Sequence, residues 1–201
     1  MNKEINQNNR VDQNNRRGFL SKMLIAGAGG IALFSTSSYA SSNNNISTTL
    51  TEEQKDRLFF IYQEEKVARD VYIYLGELYP DESTFASIQL SEQRHMDAAQ
   101  KLCINYGIDV SMIDESEGAC GEFEVDYLQT LYNECIALGE VELVEALKVG
   151  KLIEETDIGT LTESIESMDM PDDIIRTYEV LREGSYNHLE SYEASIAREL
   201  R

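Results

Sequence analysis

Proline is almost absent from this chain, and that favours long uninterrupted helices. Only 2 prolines occur among the 201 residues, Pro80 and Pro171, and proline is the residue that most readily ends or kinks a helix. The long segments around them repeat apolar residues at the spacing of one helix face. We therefore expect an all-α domain, long enough to bury a core of its own.

Capping residues and apolar periodicity predict two helices in the first half of the domain. Thr51, followed by acids, predicts a helix over about 51–79 that ends before Pro80. A second helix is expected over about 83–107, closed by a glycine. The glycine-containing acidic stretch 108–122 is too long for a tight turn, so we expect a crossover loop there.

The second half of the domain continues the helical pattern. A helix is predicted over 123–139, and a further periodic run from Glu140 contains a predicted break near Gly159. Pro171 suits the first turn of a last helix that reaches Leu200. Five or six helices without a convincing strand predict a helical bundle.

The net charge of the chain limits the kinds of partner that it can bind. The formal net charge is −20, and the basic first 40 residues account for five bases and two acids, so their removal leaves about −23. Such a surface repels phosphate backbones and anionic head groups, which argues against nucleic-acid binding and peripheral membrane binding. Metal cations remain plausible partners, although an acidic exterior also simply aids solubility. The sequence is compatible with a monomer and with a homo-oligomer.

The N-terminus has the layout of an export signal. Arg16 and Arg17 precede an apolar run over 23–34, which is shorter than the about 20 residues that a membrane-spanning helix needs. The arginine pair followed by Gly-Phe-Leu resembles a twin-arginine signal. Cleavage near Ala40 would deliver the mature protein to the periplasm or the exterior; the alternatives are an uncleaved anchor and an Asn-rich tail with an accidental arginine pair.

The predicted organisation is therefore a signal peptide over 1–40, an Asn- and Ser-rich flexible leader over 41–50 and a helical domain over 51–201. The three cysteines, at 103, 120 and 135, fit neither a zinc pattern nor a Cys-x-x-Cys motif. One pair could form a disulfide after export, but we expect at least two of the cysteines to be small buried apolar residues.

A Glu-x-x-His pair on the second helix is the first candidate metal motif. Glu92 and His95 are three residues apart, so both side chains leave the same helix face. On the first helix, Glu65 shares the apolar stripe, where an unpaired charge would be costly to bury. In an antiparallel hairpin, Glu65 and His95 reach the same height within one turn.

The later helices offer matching residues. Glu154 and Asp157 fall on the apolar face of the fourth segment, whereas Glu155 falls on its polar side with two lysines. In the last helix, His188 lies one turn before Tyr192 on the same face. Both histidines of the chain thus occupy positions that a two-metal bundle would need.

Carboxylates with a minority of imidazoles favour one or two iron or manganese ions over structural zinc. The structural alternative is a bundle with two hydrogen-bonded core histidines, whose acids are paired to Arg69 and Arg94.

Four motifs, in this order, resemble an exported branch of the ferritin-like superfamily related to the rubrerythrin type. They are "EEKVARDVY", "FASIQLSEQRHMDA", "ALKVGKLIEETDI" and "SYNHL", and the resemblance covers about residues 50–200. The first motif matches the pattern E-x-x-A-R-x-x-Y, which selects Glu65 over Glu64. The resemblance implies a ferritin-like four-helix bundle with one or two extra short helices. It also implies a carboxylate-bridged metal pair that handles oxygen, peroxide or ferrous iron.

The chain departs from that pattern at one position. Ser185 stands where the relatives have a glutamate three residues before the last histidine, and serine is a poor iron ligand. One metal would then be weakly held or absent, or Asp157 would substitute, since rubrerythrins place a second acid there. Without a Cys-x-x-Cys pair, there is no rubredoxin-like electron-feeding module.

Two hypotheses follow, and a third is weak. The first is an exported protein that acts as an oxidase or peroxidase. Its metal centre would be formed by Glu65, Glu92, His95, Glu154, His188 and Asp157. Tyr72 or Tyr192 would then be either electron relays or simply core aromatics. The second is a metal-dependent structural or interaction module without turnover. A ferritin-type storage cage is not supported by any visible assembly surface.

Overall fold

The described part of the chain, residues 49–111, 113–116, 120–123 and 125–201 of a computed structural model, forms five helices and no strand. The predicted all-α fold is confirmed for these residues. The predicted signal peptide over 1–40 and most of the leader lie outside them. The helices are α1 (Glu52–Leu78), α2 (Ser83–Asn105), α3 (Asp126–Gly139), α4 (Leu143–Ser167) and α5 (Asp172–Glu199).

The first helix hairpin follows the sequence signals closely. Thr51 and Gln54 form a reciprocal capping box, in which the Thr51 hydroxyl accepts from the Gln54 amide and the Gln54 side chain accepts from the Thr51 amide. Glu82 caps α2 by accepting from the Thr84 amide. The short turn around Pro80 makes α1 and α2 antiparallel neighbours.

Three predicted boundaries were wrong. α4 continues through Gly159 because an interior glycine costs a helix only about 1 kcal/mol, which tertiary packing outweighs. α3 begins at Asp126 instead of residue 123, because the preceding segment is hydrogen-bonded to Gln129 in a loop conformation. Pro171 has a ψ of 149°, so it caps α5 from outside the helix instead of occupying its first turn.

The four long helices form a closed ring in which every neighbour is antiparallel. α1 contacts α2 and α4, and α5 contacts the same two helices. Hydrogen bonds fix the directions: Tyr106 of α2's C-terminal end donates to Asp173 at the start of α5, while Thr84 meets Ser195 at the opposite end. In chain order the long helices therefore run up, down, down and up, which requires one long crossover between α2 and α4.

α3 lies in that crossover and covers α1 and α4 from outside. As a result, every residue of α1 from Ile61 to Tyr72 is buried, polar ones included. Asp70 accepts from Lys66 at 2.7 Å, from Arg69 at 2.6 Å and from the Gly121 amide at 2.9 Å, which ties the crossover to α1.

Apolar layers lie on both sides of the bundle's polar middle. A core cluster that includes Leu58, Met96 and Tyr178 fills one end, and the rings of Tyr72, Phe85 and Tyr192 pack together toward the other. The residue before α1's cap, Leu50, is also buried, so the packed domain starts within the predicted leader.

The expectation for the cysteines is confirmed, because Cys103 and Cys135 are buried free thiols and Cys120 is half-buried. Within the described ranges, no helix is long and apolar enough to cross a bilayer.

Candidate metal centre

The middle of the bundle brings one carboxylate between the two histidines. Glu92 of α2 places Oε1 2.6 Å from Nδ1 of His188 on α5, and Oε2 3.0 Å from Nδ1 of His95, one turn further along α2. The two imidazole rings stack with centroids 5.3 Å apart. One carboxylate thus serves both histidines, with one oxygen for each.

A further carboxylate flanks each histidine. Glu65 Oε2 of α1 lies 3.4 Å from His95 Nδ1, and Glu154 Oε2 of α4 lies 3.4 Å from His188 Nδ1. All four side chains of this paragraph are at least nine-tenths buried. The antiparallel ring therefore brings four long helices to one level, as the height comparison of Glu65 and His95 predicts.

Asp157 and Ser185 face each other across α4 and α5. The Ser185 hydroxyl donates to Asp157 Oδ2 at 2.5 Å, and both residues are buried. Asp157 therefore reaches the α5 position where the resemblance places a glutamate. Its other oxygen, Oδ1, has no hydrogen-bond partner among the described residues.

Several atoms of the cluster are close together without being aligned for hydrogen bonds. Within the described ranges, both histidine Nδ1 atoms and Glu92 Oε1 lack a partner of acceptable geometry, although they lie 2.6 to 3.4 Å from carboxylate oxygens. Both oxygens of Glu65 are equally unpartnered. Buried polar atoms without partners are costly, so the atoms have the arrangement of ligands that converge on shared cations.

The donor set fits iron or manganese. One ligand atom each from Glu92, His95 and His188 lies within 4.8 Å of the others, and the flanking carboxylates add hard oxygen donors. Among the described residues, this group of candidate ligands contains no cysteine. Such oxygen-rich sites with imidazole suit iron and manganese better than structural zinc.

Burial and the charges of neighbouring groups strongly change the pKa values of Glu92 and the two histidines. Burial alone would raise the pKa of Glu92, but the close approach of His188 and His95 lowers it to about 2. Burial alone would lower the histidine pKa values, but the carboxylates raise that of His95 to about 11 and that of His188 to about 10. Without a cation, both imidazoles are therefore protonated at neutral pH beside an ionised Glu92.

The pKa values of the flanking carboxyl groups are raised, in contrast to that of Glu92. Burial raises the pKa of Glu65 to about 8, opposed by His95. Burial and the charge of Glu92 raise the pKa of Glu154 to about 7. Burial, followed by the charge of Glu65, raises the pKa of Asp157 well above its usual range. Without a cation, burial therefore favours the protonated, neutral form of these flanking acids.

The arginine pairs of the structural alternative do not form. Arg69 binds Asp70 and the Gln93 side chain, and Arg94 donates to the Leu90 carbonyl of its own helix. Among the described residues, neither arginine forms an ion pair with the four acids of the cluster. Neither of these two arginines therefore compensates the charge of this acidic core.

The two candidate relay tyrosines differ in their contacts. Tyr72 donates to Glu154 Oε1 at 2.6 Å, so its hydroxyl touches the cluster. The Tyr192 hydroxyl has no partner among the described residues, while its ring packs 5.4 Å from that of Tyr72. Tyr72 orients Glu154, and Tyr192 serves as packing.

Sequence reasoning missed two residues near the cluster. Gly184 of α5 faces the His95 ring, and a Cβ built on it would lie 2.5 Å from Nε2. Gly184 lies one turn before His188 on the same helix face, and this spacing could have identified it from the sequence. Glu64, which was set aside in favour of Glu65, is 6% exposed; no periodicity marks it, because α1 is buried on all sides there.

Replacement of Gly184 by alanine should weaken metal binding while leaving folding almost unchanged. The new methyl group must displace the edge of the His95 ring, and alanine offsets that cost because it favours the helix by about 1 kcal/mol. We expect about tenfold weaker metal affinity, comparable to the loss of a supporting contact at a metal site. Calorimetric metal titration and thermal unfolding measure the two effects; equal affinity in both proteins would contradict the prediction.

The fold and cluster together define a class of protein: an all-α bundle with a buried group of carboxylates and histidines at its centre. The chain belongs to the family described as "Uncharacterized protein domain (DUF2202)", whose model matches residues 54–200. The match includes every residue of the candidate centre.

A relative from Methanocaldococcus jannaschii, uncharacterized protein MJ0754, is 37% identical over 140 residues, covering 70% of this chain and 73% of the relative. The crystal structure of hypothetical protein MJ0754 from Methanococcus jannaschii is similar to this structure with a TM-score of 0.70 and 34% identity. The similarity covers 78% of this chain and 86% of that one.

Proposed function

We propose that this protein is an exported ferritin-like protein that binds one or two iron or manganese ions through Glu65, Glu92, His95, Glu154, His188 and Asp157. The observation that carries the proposal is Glu92, which lies between the Nδ1 atoms of two histidines while acids flank both. The unpartnered buried atoms around it support the same conclusion.

The helix order supports the ferritin-like part of the proposal. Ferritin-like bundles have one long crossover, and their metal ligands project inward as a Glu from each of two helices and a Glu-x-x-His from each of the other two. Here α1 and α4 carry the single acids and α2 carries the complete motif, whereas α5 carries Ser185 and His188. The twin-arginine-type signal, with cleavage near Ala40, supports export.

Each residue has a definite task in the proposed centre. Glu92 would hold ions beside both histidines, with Glu65 on the His95 side and Glu154 on the His188 side. When bound, iron or manganese would supply redox chemistry toward ferrous iron, oxygen or peroxide. Tyr72 fixes Glu154 by its hydrogen bond, and the apolar layers above and below limit access of bulk water to the carboxylates.

A second candidate function is a metal-dependent structural or interaction module without turnover. Ser185 favours it, because the α5 position contributes a hydroxyl bonded to Asp157 instead of a carboxylate. A centre with one acid fewer would hold its second ion less tightly.

Sequential addition of ferrous iron and peroxide to the reconstituted protein separates the two functions. Optical spectra recorded during the additions, beside Glu92→Ala and His95→Ala, should show changes only in the unmodified protein. Two bound metals with rapid oxidation identify the enzyme. Metal that stays bound and never turns over identifies the module, and no metal at all in the reconstituted protein contradicts both.

Metal binding should release protons and tighten as pH rises. The empty site keeps both imidazoles protonated at neutral pH, because their pKa values are raised to about 11 and about 10, whereas a metal needs neutral imidazole. We expect more than about two protons released per filled centre: one from each histidine, and further protons from the flanking carboxyls of Glu65, Glu154 and Asp157, whose pKa values are also raised. Calorimetry in buffers of different ionisation enthalpy counts them; affinity that is constant from pH 6 to pH 8 would contradict the prediction.

A further inference from the structure

Glu64 is a second buried acid of α1, on the side away from Glu65. It is 6% exposed, and it faces α4, where the Thr160 hydroxyl donates to Oε1 at 3.3 Å. Its other oxygen, Oε2, is buried without a hydrogen-bond partner among the described residues. Arg57, whose charge acts on Glu64, forms its ion pair with Glu163 instead.

Asp157 lies one turn from Thr160 on α4, so both side chains leave the same helix face. The buried Asp157 Oδ1 also has no partner among the residues described. From the α3 side, the Tyr127 hydroxyl is buried without a partner, and it is close enough for the charge of Glu64 to add to burial in raising the Tyr127 pKa. Three oxygen atoms from three helices are thus left unsatisfied in one region.

An unpartnered carboxylate oxygen that is nine-tenths buried is costly unless a cation or a proton accompanies it. Here two acids approach the same region without a lysine or arginine partner of their own in the described ranges. We propose that Glu64 and Asp157 bind a further divalent cation at the α1–α4 seam, beneath α3. This inference rests on the proposed function, because Asp157 would connect the new position to the central one.

The further position should bind more weakly than the centre. It offers two carboxylates and a hydroxyl, with no imidazole. Affinity for hard cations decreases when fewer charged ligands are present. The further position lies on the α3 side of the bundle, whereas the histidines lie between α2 and α5.

Anomalous diffraction from crystals soaked in manganese(II), combined with calorimetric titration, tests the inference. We expect one anomalous peak among Glu92, His95 and His188 and another in contact with Glu64 and Asp157. Glu64→Gln should abolish the second peak and the weaker calorimetric step, whereas the tighter step should remain, because Glu64 is not among the ligands of the central position. Glu155→Gln, which removes an exposed acid of α4, is the matched control and should change neither.

The outcomes separate the two proposals. A central peak without the Glu64 peak at saturating manganese overturns the further site, identifies a protonated carboxyl pair and leaves the proposed function intact. Empty density at both positions overturns both. If Glu64→Gln does not fold, Thr160→Val replaces it, since that variant removes only the hydroxyl that holds Glu64; an unchanged second peak in Thr160→Val or Glu64→Gln contradicts the assignment.

Discussion

Glu92→Gln should abolish tight metal binding at both histidines. Each oxygen of Glu92 lies close to one Nδ1 atom, at 2.6 Å for His188 and 3.0 Å for His95, so one substitution removes a ligand from both halves of the centre. Loss of a supporting contact at a metal site already costs about 10- to 100-fold in affinity. We therefore expect at least about 100-fold weaker binding, measured by competition with a chelator of known affinity.

Asp97→Asn is the matched control for Glu92→Gln. It removes one negative charge from the same helix, but at an exposed position whose carboxylate accepts from Gln93. Affinity should stay unchanged in this variant. A folded Glu92→Gln protein, checked by circular dichroism, that binds iron or manganese as tightly as the unmodified protein would contradict the assigned centre.

Two alanine substitutions in α4 should change the free energy of unfolding in opposite directions. At Gly150, a Cβ would lie 2.4 Å from the Tyr192 ring, which is fully buried against Tyr72 and Phe85 and has no room to move. Overpacking of this kind costs about 1 to 3 kcal/mol, so Gly150→Ala should be destabilising by about 1 kcal/mol once its gain of about 1 kcal/mol in helix propensity is subtracted.

Gly159→Ala provides the comparison on the same helix. A Cβ there meets nothing within 4 Å, so only the helix propensity changes and the protein should gain about 0.5 to 1 kcal/mol. Urea unfolding of the metal-free proteins measures both values. Equal effects of the two substitutions would mean that Tyr192 is not held against α4 as described.

The helices and the main candidate residues could be predicted because their signals are local. Proline scarcity, caps and apolar spacing each depend on neighbours within one or two turns, and they placed α1, α2 and α5 within a few residues. The interior acids Glu65 and Glu154 were found for the same reason, since each interrupts an apolar stripe. The geometry brings these residues together with both histidines.

The remaining features depend on contacts that no local pattern records. The helix motif selects Glu65 over Glu64, but α3 and the crossover also cover the Glu64 side of α1, so the rule of one buried stripe does not apply there. The predicted break at Gly159 was wrong because the packing of α4 maintains the helix. The close approach of Gly184 to His95 depends on how α5 meets α2, which the sequence does not encode locally.

Elemental analysis of the purified mature protein, after reconstitution with ferrous iron or manganese(II) and removal of loosely bound ions, tests the central claim most directly. A centre built by Glu92, two histidines and the flanking acids predicts one or two ions per chain. It also predicts that His95→Ala loses most of this metal. A reconstituted, folded protein that retains no transition metal would contradict the account.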